Sequence, residues 1–303
     1  MKTKPRPPIL PSRPADPTGA DALERSAMRA FRVRVRKARK AYVEAIDRFP
    51  REPSVNARYT YRLDPFLLQS VLRDTGAFVD SLLLEGGADN VWFFEAFVEL
   101  AYRRGTAQQF SNLARQSTAY RGGQESLARV LRSEPYRRRL ALIAAREFEE
   151  MKGLSGDVQA NMARVLTDGL ARGQNPLVIA RRLSAQAGIE ERRANRIART
   201  EITTALRRAR LDEAEDAQEE YGLRSLEMHF SALSPTTRAT HAARHGKLYT
   251  VEQQRDWWAQ DANSINCKCS SITVLVDRHN KPLFPAIIQR ARALQEKWHG
   301  NSG

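Results

Sequence analysis

Two cysteines and two histidines near the C-terminal end are the residues best suited to chemistry. Cys267 and Cys269 are two positions apart, so on an extended chain both sulfurs point to one side. His241 and His245 are four positions apart, so on a helix both imidazoles share one face. Two nitrogen and two sulfur donors suit a tetrahedral zinc site. The spacing therefore predicts a Zn²⁺ site formed by His241, His245, Cys267 and Cys269.

The same residues leave two other interpretations open. In a structural one, both cysteines are buried as small hydrophobic residues and His241 bonds to a backbone group. In a catalytic one, His241 pairs with a nucleophilic cysteine or the metal site hydrolyses a substrate. The His241 segment is close to the zincin signature His-Glu-x-x-His, but Ala242 replaces the general-base glutamate. We therefore expect that the protein is not an enzyme.

Hydrophobic periodicity predicts the elements that position these residues. Apolar residues recur at three- and four-residue spacings up to Gly222, which predicts helices. Towards the C-terminal end, the pattern predicts separate helices over residues 138–154, 156–172, 176–187 and 190–220, with Asn175-Pro176 as the start signal of the third. Residues 226–230 and 272–276 instead have the pattern of strands. The predicted fold class is mainly α-helical with a small α+β C-terminal module.

Composition divides the chain into three predicted parts. Residues 1–19 contain six prolines, a density that favours an extended conformation without backbone donors. We expect an extended, basic, proline-rich arm there, followed by a helical N-terminal region over residues 20–174. Residues 175–303 form the predicted C-terminal module. The long segment between its two strands has few apolar anchors, so a metal ion would tie its start to its end.

The charge balance favours an anionic partner. The chain has 50 Lys+Arg against 35 Asp+Glu, a net charge of +15, which is typical of proteins that bind nucleic acid or acidic protein surfaces. Basic residues are dense on the first predicted helix, which ends near Phe49. The alternative is a solvated surface helix. The candidate nucleic-acid or partner contacts are Arg25, Arg29, Arg32, Arg36, Lys37, Arg39 and Lys40.

Several classes of protein are excluded by composition. The longest apolar runs are far shorter than the ~20 residues that cross a bilayer, so no membrane partner is expected. The N-terminal segment has no apolar core of a secretory signal. Two cysteines cannot build a disulfide framework, and ring strain disfavours a bond between them. These features predict synthesis in a reducing cytosol.

Three short motifs carry a resemblance to a known family. They are Ala198-Arg199-Thr200-Glu201, the turn from Arg238 through His241 to Gly246, and Asn266-Cys267-Lys268-Cys269. In this order and spacing, over roughly residues 175–277, the chain resembles the phage Mu F-like minor head proteins. The matching positions are Arg199, Thr200, Glu201, Arg238, His241, Gly246, Cys267 and Cys269.

The resemblance also bears on the fourth metal ligand. His245 falls at a position that varies in the family, so Asp256 or Asp261 is an alternative ligand. Where an acidic residue often opens the family's central motif, this chain has Ser234-Pro235-Thr236.

What the resemblance implies is a head morphogenesis protein of a double-stranded DNA bacteriophage. Such a minor capsid protein is made in the host cytoplasm and lies in the virion interior near the portal. The expected partners are the portal protein, the major capsid or scaffold protein, and packaged DNA, with a role in DNA packaging or ejection. The alternative is a zinc-dependent or Cys-His hydrolase, acting as a nuclease or peptidase. A third class is a cytosolic nucleic-acid-binding protein unrelated to virions.

Overall fold

The computed structural model of the chain describes residues 4–55, 58–124 and 126–300, without the side chains of residues 299 and 300. The first three residues of the predicted arm and the last three of the predicted module lie outside the described residues. The described chain is mostly helical, with two small antiparallel sheets. The predicted fold class is confirmed.

The helices follow one another along most of the chain. They are α1 (Asp21–Ala45), α2 (Pro65–Leu83), α3 (Glu99–Gln116), α4 (Thr118–Gly123), α5 (Leu127–Val130), α6 (Glu134–Ala171), α7 (Pro176–Tyr221), α8 (Ala239–Ala242), α9 (Val251–Ala259) and α10 (Ala286–Gly300). A 3₁₀ turn, Ile46–Arg48, follows α1, and a π-helical stretch, Phe94–Val98, leads into α3. In the described part of the chain, no helix combines the length and apolarity needed to span a membrane.

The predicted division into separate helices near residue 155 and near residues 188–189 is wrong. Helix α6 runs unbroken from residue 134 to residue 171, and α7 from residue 176 to residue 221. Gly153, Gly156 and Gly188 adopt no left-handed backbone conformation. A glycine costs only about 1 kcal/mol inside a helix. Buried apolar residues along both helices, such as Met162 and Leu183, offset that cost.

The chain forms two compact units built from interleaved segments. Unit 1 contains residues 1–25, 97–139 and 199–303, and unit 2 contains residues 26–96 and 140–198. Within unit 1, residues 4–20 form no helix or strand. They bond to α3, where Arg6 donates its N–H to the Arg115 carbonyl at 2.9 Å and Ile9 donates its N–H to Asn112 Oδ1 at 3.1 Å. The division at residues 19 and 174 stays a prediction.

Unit 1 is organised around a three-stranded sheet. Its strands are β3 (Ser225–Phe230), β4 (Leu248–Tyr249) and β5 (Ser270–Leu275), in the order β4-β3-β5 with both pairs antiparallel. One face packs on α10 through a buried cluster of Met228, Phe230, Ile272, Val274, Ile287 and Ala291. The sheet is therefore fixed on that face by apolar burial.

The other face of the sheet is polar but also buried, and α3 holds it. Gln109 Nε2 donates to Thr273 Oγ1 at 2.6 Å. Asn112 and Gln116 donate to the Thr273 carbonyl at 3.0 and 2.9 Å. These bonds satisfy polar groups that burial would otherwise penalise. Helix α3 therefore fixes β5, the strand that directly follows the two cysteines.

Unit 2 has its own core and a two-stranded sheet. Strands β1 (Arg51–Pro53) and β2 (Tyr59–Tyr61) pair in an antiparallel hairpin. Phe31 of α1 is fully buried, with its ring centroid 4.9 Å from that of Trp92 and 5.0 Å from that of Phe93. These three aromatic rings are thus part of the core of unit 2.

Candidate metal centre

Strand pairing brings the two halves of the candidate site together. Phe230 at the end of β3 lies opposite Ser270 at the start of β5. The chain leaving β3 therefore runs beside the chain that enters β5. Accordingly, Ala232 packs with Cys267 and Cys269 in a buried cluster. Helix α8, which lies between β3 and β4, carries His241.

His241, Cys267 and Cys269 form one buried cluster. The Sγ atoms of both cysteines lie 3.5 Å from His241 Nδ1. The three ligand atoms are within 4.8 Å of one another. Each residue is at most 3% exposed, and both cysteines are free. One nitrogen and two sulfur donors at these separations have the composition of a zinc-binding set.

His245 does not join this cluster. The Ser231 N–H donates to its Nδ1 at 3.1 Å, and its Nε2 donates to the Ala291 carbonyl at 3.0 Å. Helix α8 ends at Ala242, so the shared helical face that the spacing predicted does not extend to His245. Its two ring nitrogens instead join the end of β3 to α10.

The alternative fourth ligands are also outside the cluster. Asp256 and Asp261 are exposed, and neither belongs to the group of close ligand atoms found among the described residues. Three of the four predicted ligands are thus brought together, and the described residues supply no fourth.

Because the imidazole of His245 is buried, we expect the free energy of unfolding to depend on pH. Burial lowers the pKa of His245 to about 4, below the ordinary value near 6.5. Above about pH 6.5 the imidazole is neutral in both states; as the pH falls towards 4, only the unfolded chain takes up the proton, and stability is lost. The slope is roughly 1 kcal/mol per pH unit. In urea unfolding, the advantage of the wild type over His245→Gln should be about 2 kcal/mol smaller at pH 5 than at pH 7. An equal difference at both pH values would contradict this.

Two arginines hold the loop that carries the cysteines. Arg207 of α7 is 2% exposed, and its Nη1 donates to the carbonyls of Cys267 and Cys269 at 3.3 and 3.4 Å. Arg238 donates to three carbonyls at 3.1 Å each, those of Ala262, Asn263 and Ile265. Guanidinium groups suit this task because their donors fan out in one plane.

The Arg-Thr-Glu motif on α7 also meets this loop. The Asn266 N–H donates to Thr200 Oγ1 at 2.9 Å, and Arg199 donates to Asn266 Oδ1 at 2.7 Å. Asn266 itself adopts a left-handed conformation with φ of 53°. Arg199 also pairs with the buried carboxylate of Glu24 at 2.9 Å. Glu201 of the same motif is 8% exposed.

Gly246 ends the turn that carries His241. Its φ of +71° is in the left-handed region, which residues with a Cβ rarely adopt. Its N–H donates to the His229 carbonyl at 2.9 Å, so the chain rejoins β3 there. The turn is therefore closed at a fixed distance from the sheet.

The two thiols of the cluster are electrostatically different. A hydrogen bond from Cys269 lowers the pKa of Cys267, and His241 and Arg207 lower it further. The pKa of Cys269 is raised, first because it donates this bond and then because it is buried. The site thus favours one thiolate, which is the form that binds metals.

A small polar pocket of about 100 Å³ borders the cluster. It is lined by Arg199, Ala232, Ser234, Thr236, Thr237, Arg238, His241, Asn266, Cys267, Lys268 and Cys269. This volume has room for a few water molecules. The described lining residues include no aspartate or glutamate, so the pocket offers no carboxylate as a general base.

The basic residues of α1 are mostly at the surface. Arg39 is half-buried and its Nη1 is 3.4 Å from Ser184 Oγ, while the other six are exposed. Arg25 pairs with Asp21, Arg32 with Glu191, and Lys40 with Glu44. Three members, Arg29, Arg36 and Lys37, form no ion pair with any described residue.

Sequence reasoning missed two residues of the site. Arg207 lies about two helical turns after Arg199 on α7. This spacing can be recognised in the sequence and places both arginines on one side of the helix. The ring of Trp257 lies 4.7 Å from that of His241. It comes from α9, and no sequence spacing connects it to His241.

Residues 160–272 match the model of a family described as phage Mu protein F like protein. This region of the chain is phage Mu F-like. The match covers a little over a third of the chain and includes the Arg199 motif, His241 and both cysteines. It confirms the resemblance that the three motifs indicate. Neither a curated protein nor a solved structure matches the chain.

Proposed function

We propose that the chain is a minor head protein of a double-stranded DNA bacteriophage that acts by binding. The observation that carries this is the phage Mu F-like match over residues 160–272. The matched motifs meet around one buried cluster, which is the arrangement expected of a compact binding module. The proposed place is the virion interior near the portal, with the portal protein and the major capsid or scaffold protein as partners.

Co-purification tests the proposed partners. The full chain is co-expressed with a tagged portal protein of the same phage, and separately with the tagged major capsid protein and scaffold protein. Recovery with one of them after a high-salt wash supports a head role. If none of the three retains the chain and it is absent from purified particles, the proposal is wrong.

The proposed cofactor is one Zn²⁺ held by His241, Cys267 and Cys269. Its role is structural, because it ties the chain leaving β3 to the chain entering β5. Without a metal, the described side chains that hold the loop entering β5 include Arg207 and Arg238, which donate hydrogen bonds to its carbonyls. The adjoining pocket has room for a water molecule to complete a tetrahedral shell.

Binding is favoured over the alternative, a hydrolase. A zinc hydrolase needs a group that accepts a proton from the attacking water, and no carboxylate lines the described pocket. A Cys-His hydrolase needs an accessible thiol, whereas Cys267 and Cys269 are 3% and 2% exposed. Hydrolysis of a peptide or nucleic acid by purified protein, abolished by His241→Gln, would overturn this choice.

We further propose that the exposed basic stripe of α1 contacts packaged DNA. The stripe consists of Arg29, Arg32, Arg36, Lys37 and Lys40, whose spacings of three and four place them on one side of the helix. The unpaired cations Arg29, Arg36 and Lys37 can neutralise phosphates without first breaking an ion pair. Such contacts would be independent of base sequence.

A triple charge reversal tests the stripe. Arg29→Glu, Arg36→Glu and Lys37→Glu together should weaken DNA binding and flatten its salt dependence. Loss of three phosphate contacts lowers the slope of log K against log salt by about 3. The measurement is fluorescence anisotropy with a duplex DNA over a salt series.

A matched variant controls for net charge. Arg132, Arg137 and Arg138 are exposed, and reversing all three changes the net charge by the same amount. This control should keep most of the DNA affinity. Equal losses in the two variants, or no DNA binding by the wild type, would contradict the proposed contact.

A further inference from the structure

Unit 1 also contains a cavity larger than the pocket beside the cysteines, lined by the N-terminal segment, α3 and α7. Its volume is about 500 Å³. We call it the Arg210 cavity; its walls are residues 9–12 and 16–19 of the N-terminal segment, one face of α3 from Arg104 to Asn112, and Arg210 of α7. The cavity plays no part in the metal centre or in the proposed DNA contact.

Arg210 is a buried cation with unused donors. It is 6% exposed, and burial lowers its pKa to about 10, so it remains charged at neutral pH. Its Nη1 donates to Ser270 Oγ at 2.6 Å, while its Nε is buried without a partner. Among the described residues, no carboxylate lies within ion-pair distance of it. A guanidinium has five N–H donors, and the hydrogen bond to Ser270 uses only one of them.

The buried carboxyl group of Glu227 acts on Arg210 electrostatically and raises its pKa, but the two side chains form no ion pair. Glu227 Oε1 accepts from Thr273 Oγ1, which in turn accepts from Gln109 Nε2 at 2.6 Å. Burial raises the pKa of Glu227, although its hydrogen bonds and the charge of Arg210 act in the opposite direction. An uncompensated buried charge is costly, and a bound anion would lower that cost.

The rest of the cavity suits a small oxyanion with an apolar part. Arg104 reaches the Gly19 carbonyl at 2.6 Å and adds a second guanidinium. The Asp16 carboxylate also lines the cavity, but both its oxygens accept from the start of α1, from the N–H groups of Ala20 and Asp21. Gln108 Oε1 is buried without a donor. The apolar lining residues are Ile9, Leu10, Pro11, Pro17 and Ala107.

We propose that the Arg210 cavity binds a small carboxylate or phosphate, with the guanidinium of Arg210 as the anchor. The unpaired Gln108 oxygen would accept a hydrogen bond from a hydroxyl or amine on the same molecule. This proposal is independent of the proposed head function, because it rests only on the contacts within this cavity.

The test is a titration of the full-length protein, as purified without chelator, with inorganic phosphate and, separately, with succinate. Ionic strength is held constant with sodium chloride, and the side-chain Nε–H resonances of arginine are followed by NMR. A saturable shift with phosphate or with succinate identifies the class of anion that the cavity binds. If both anions cause shifts, they are expected to compete for the one site. The expected result includes a shift of the Arg210 resonance. No saturable shift with either anion would overturn the proposal.

Three variants locate the binding. Arg210→Gln should weaken it at least about tenfold, since a charge-assisted hydrogen bond is lost. Arg103→Gln, which removes an exposed neighbour of Arg104 outside the cavity, should leave it within about twofold. Ser111→Glu places a carboxylate at the exposed rim of the cavity and should block added anion.

These variants also guard against misfolding. If Arg210→Gln does not fold, Ser111→Glu remains decisive because its site is exposed. Unchanged affinity in folded Arg210→Gln or folded Ser111→Glu would place the anion elsewhere and refute the assignment.

Discussion

Replacing Cys267 and Cys269 together with serine is expected to remove zinc from the protein and to unfold the cysteine loop. Serine keeps the size of each side chain but lacks the thiolate that zinc prefers. Structural zinc contributes apparent free energies of about 10–16 kcal/mol in small domains. Because apolar burial already holds the sheet, the free energy of unfolding should fall by a smaller amount, on the order of 5 kcal/mol. Urea unfolding with parallel metal analysis gives both quantities.

The two histidines provide a matched pair of variants. His241→Gln removes a ligand atom that lies 3.5 Å from both sulfurs, and it should release zinc. His245→Gln changes a residue whose ring nitrogens bond to the backbone at Ser231 and Ala291. It should keep one zinc per chain, although its stability falls. Retention of zinc by His241→Gln, or its loss from folded His245→Gln, would contradict the assigned ligands.

Replacing Gly105 with valine is expected to separate α3 from α7 and to destabilise unit 1. A Cβ at Gly105 would overlap the Leu206 carbonyl oxygen and lie 2.8 Å from Ala209 Cβ. Helix α3 also fixes β5 through Gln109 and Asn112, so moving it strains the sheet beside the metal centre. The expected loss in the free energy of unfolding is about 3 kcal/mol. Urea unfolding monitored by circular dichroism measures it.

Gly122 provides the control for the change of residue type. It lies in α4, and a Cβ there would meet nothing within 4 Å. Gly122→Val should therefore change the free energy of unfolding by less than about 1 kcal/mol. A loss at Gly105 no larger than the loss at Gly122 would show that α3 and α7 are not in close contact.

Local patterns predicted the strands and the three clustered ligands. The alternation of apolar and polar residues in 226–230 has the two-residue period of a strand, and the β-branched residues before Val276 favour a strand there, which indicates β3 and β5. Cys267 and Cys269 lie directly before β5, so their convergence follows from the strand. His241 could be recognised in the sequence because it belongs to the same motif as Arg238 and Gly246.

Long-range packing decided the features that local patterns missed. The spacing of His241 and His245 is helical, but α8 ends at Ala242 because the chain turns back to β3 at Gly246. In the sequence, Arg210 resembles the other arginines of α7. Its burial beside residues 9–19 depends on a contact between distant segments, which periodicity cannot reveal.

The central claim is a zinc ion held by His241, Cys267 and Cys269, and X-ray absorption at the zinc edge tests it most directly. Protein expressed in zinc-supplemented medium and purified without chelator should contain about one zinc per chain. The spectrum should show two sulfur neighbours at about 2.3 Å and at least one nitrogen at about 2.0–2.1 Å from the zinc. A folded wild type without zinc, or a zinc shell without sulfur, would contradict it.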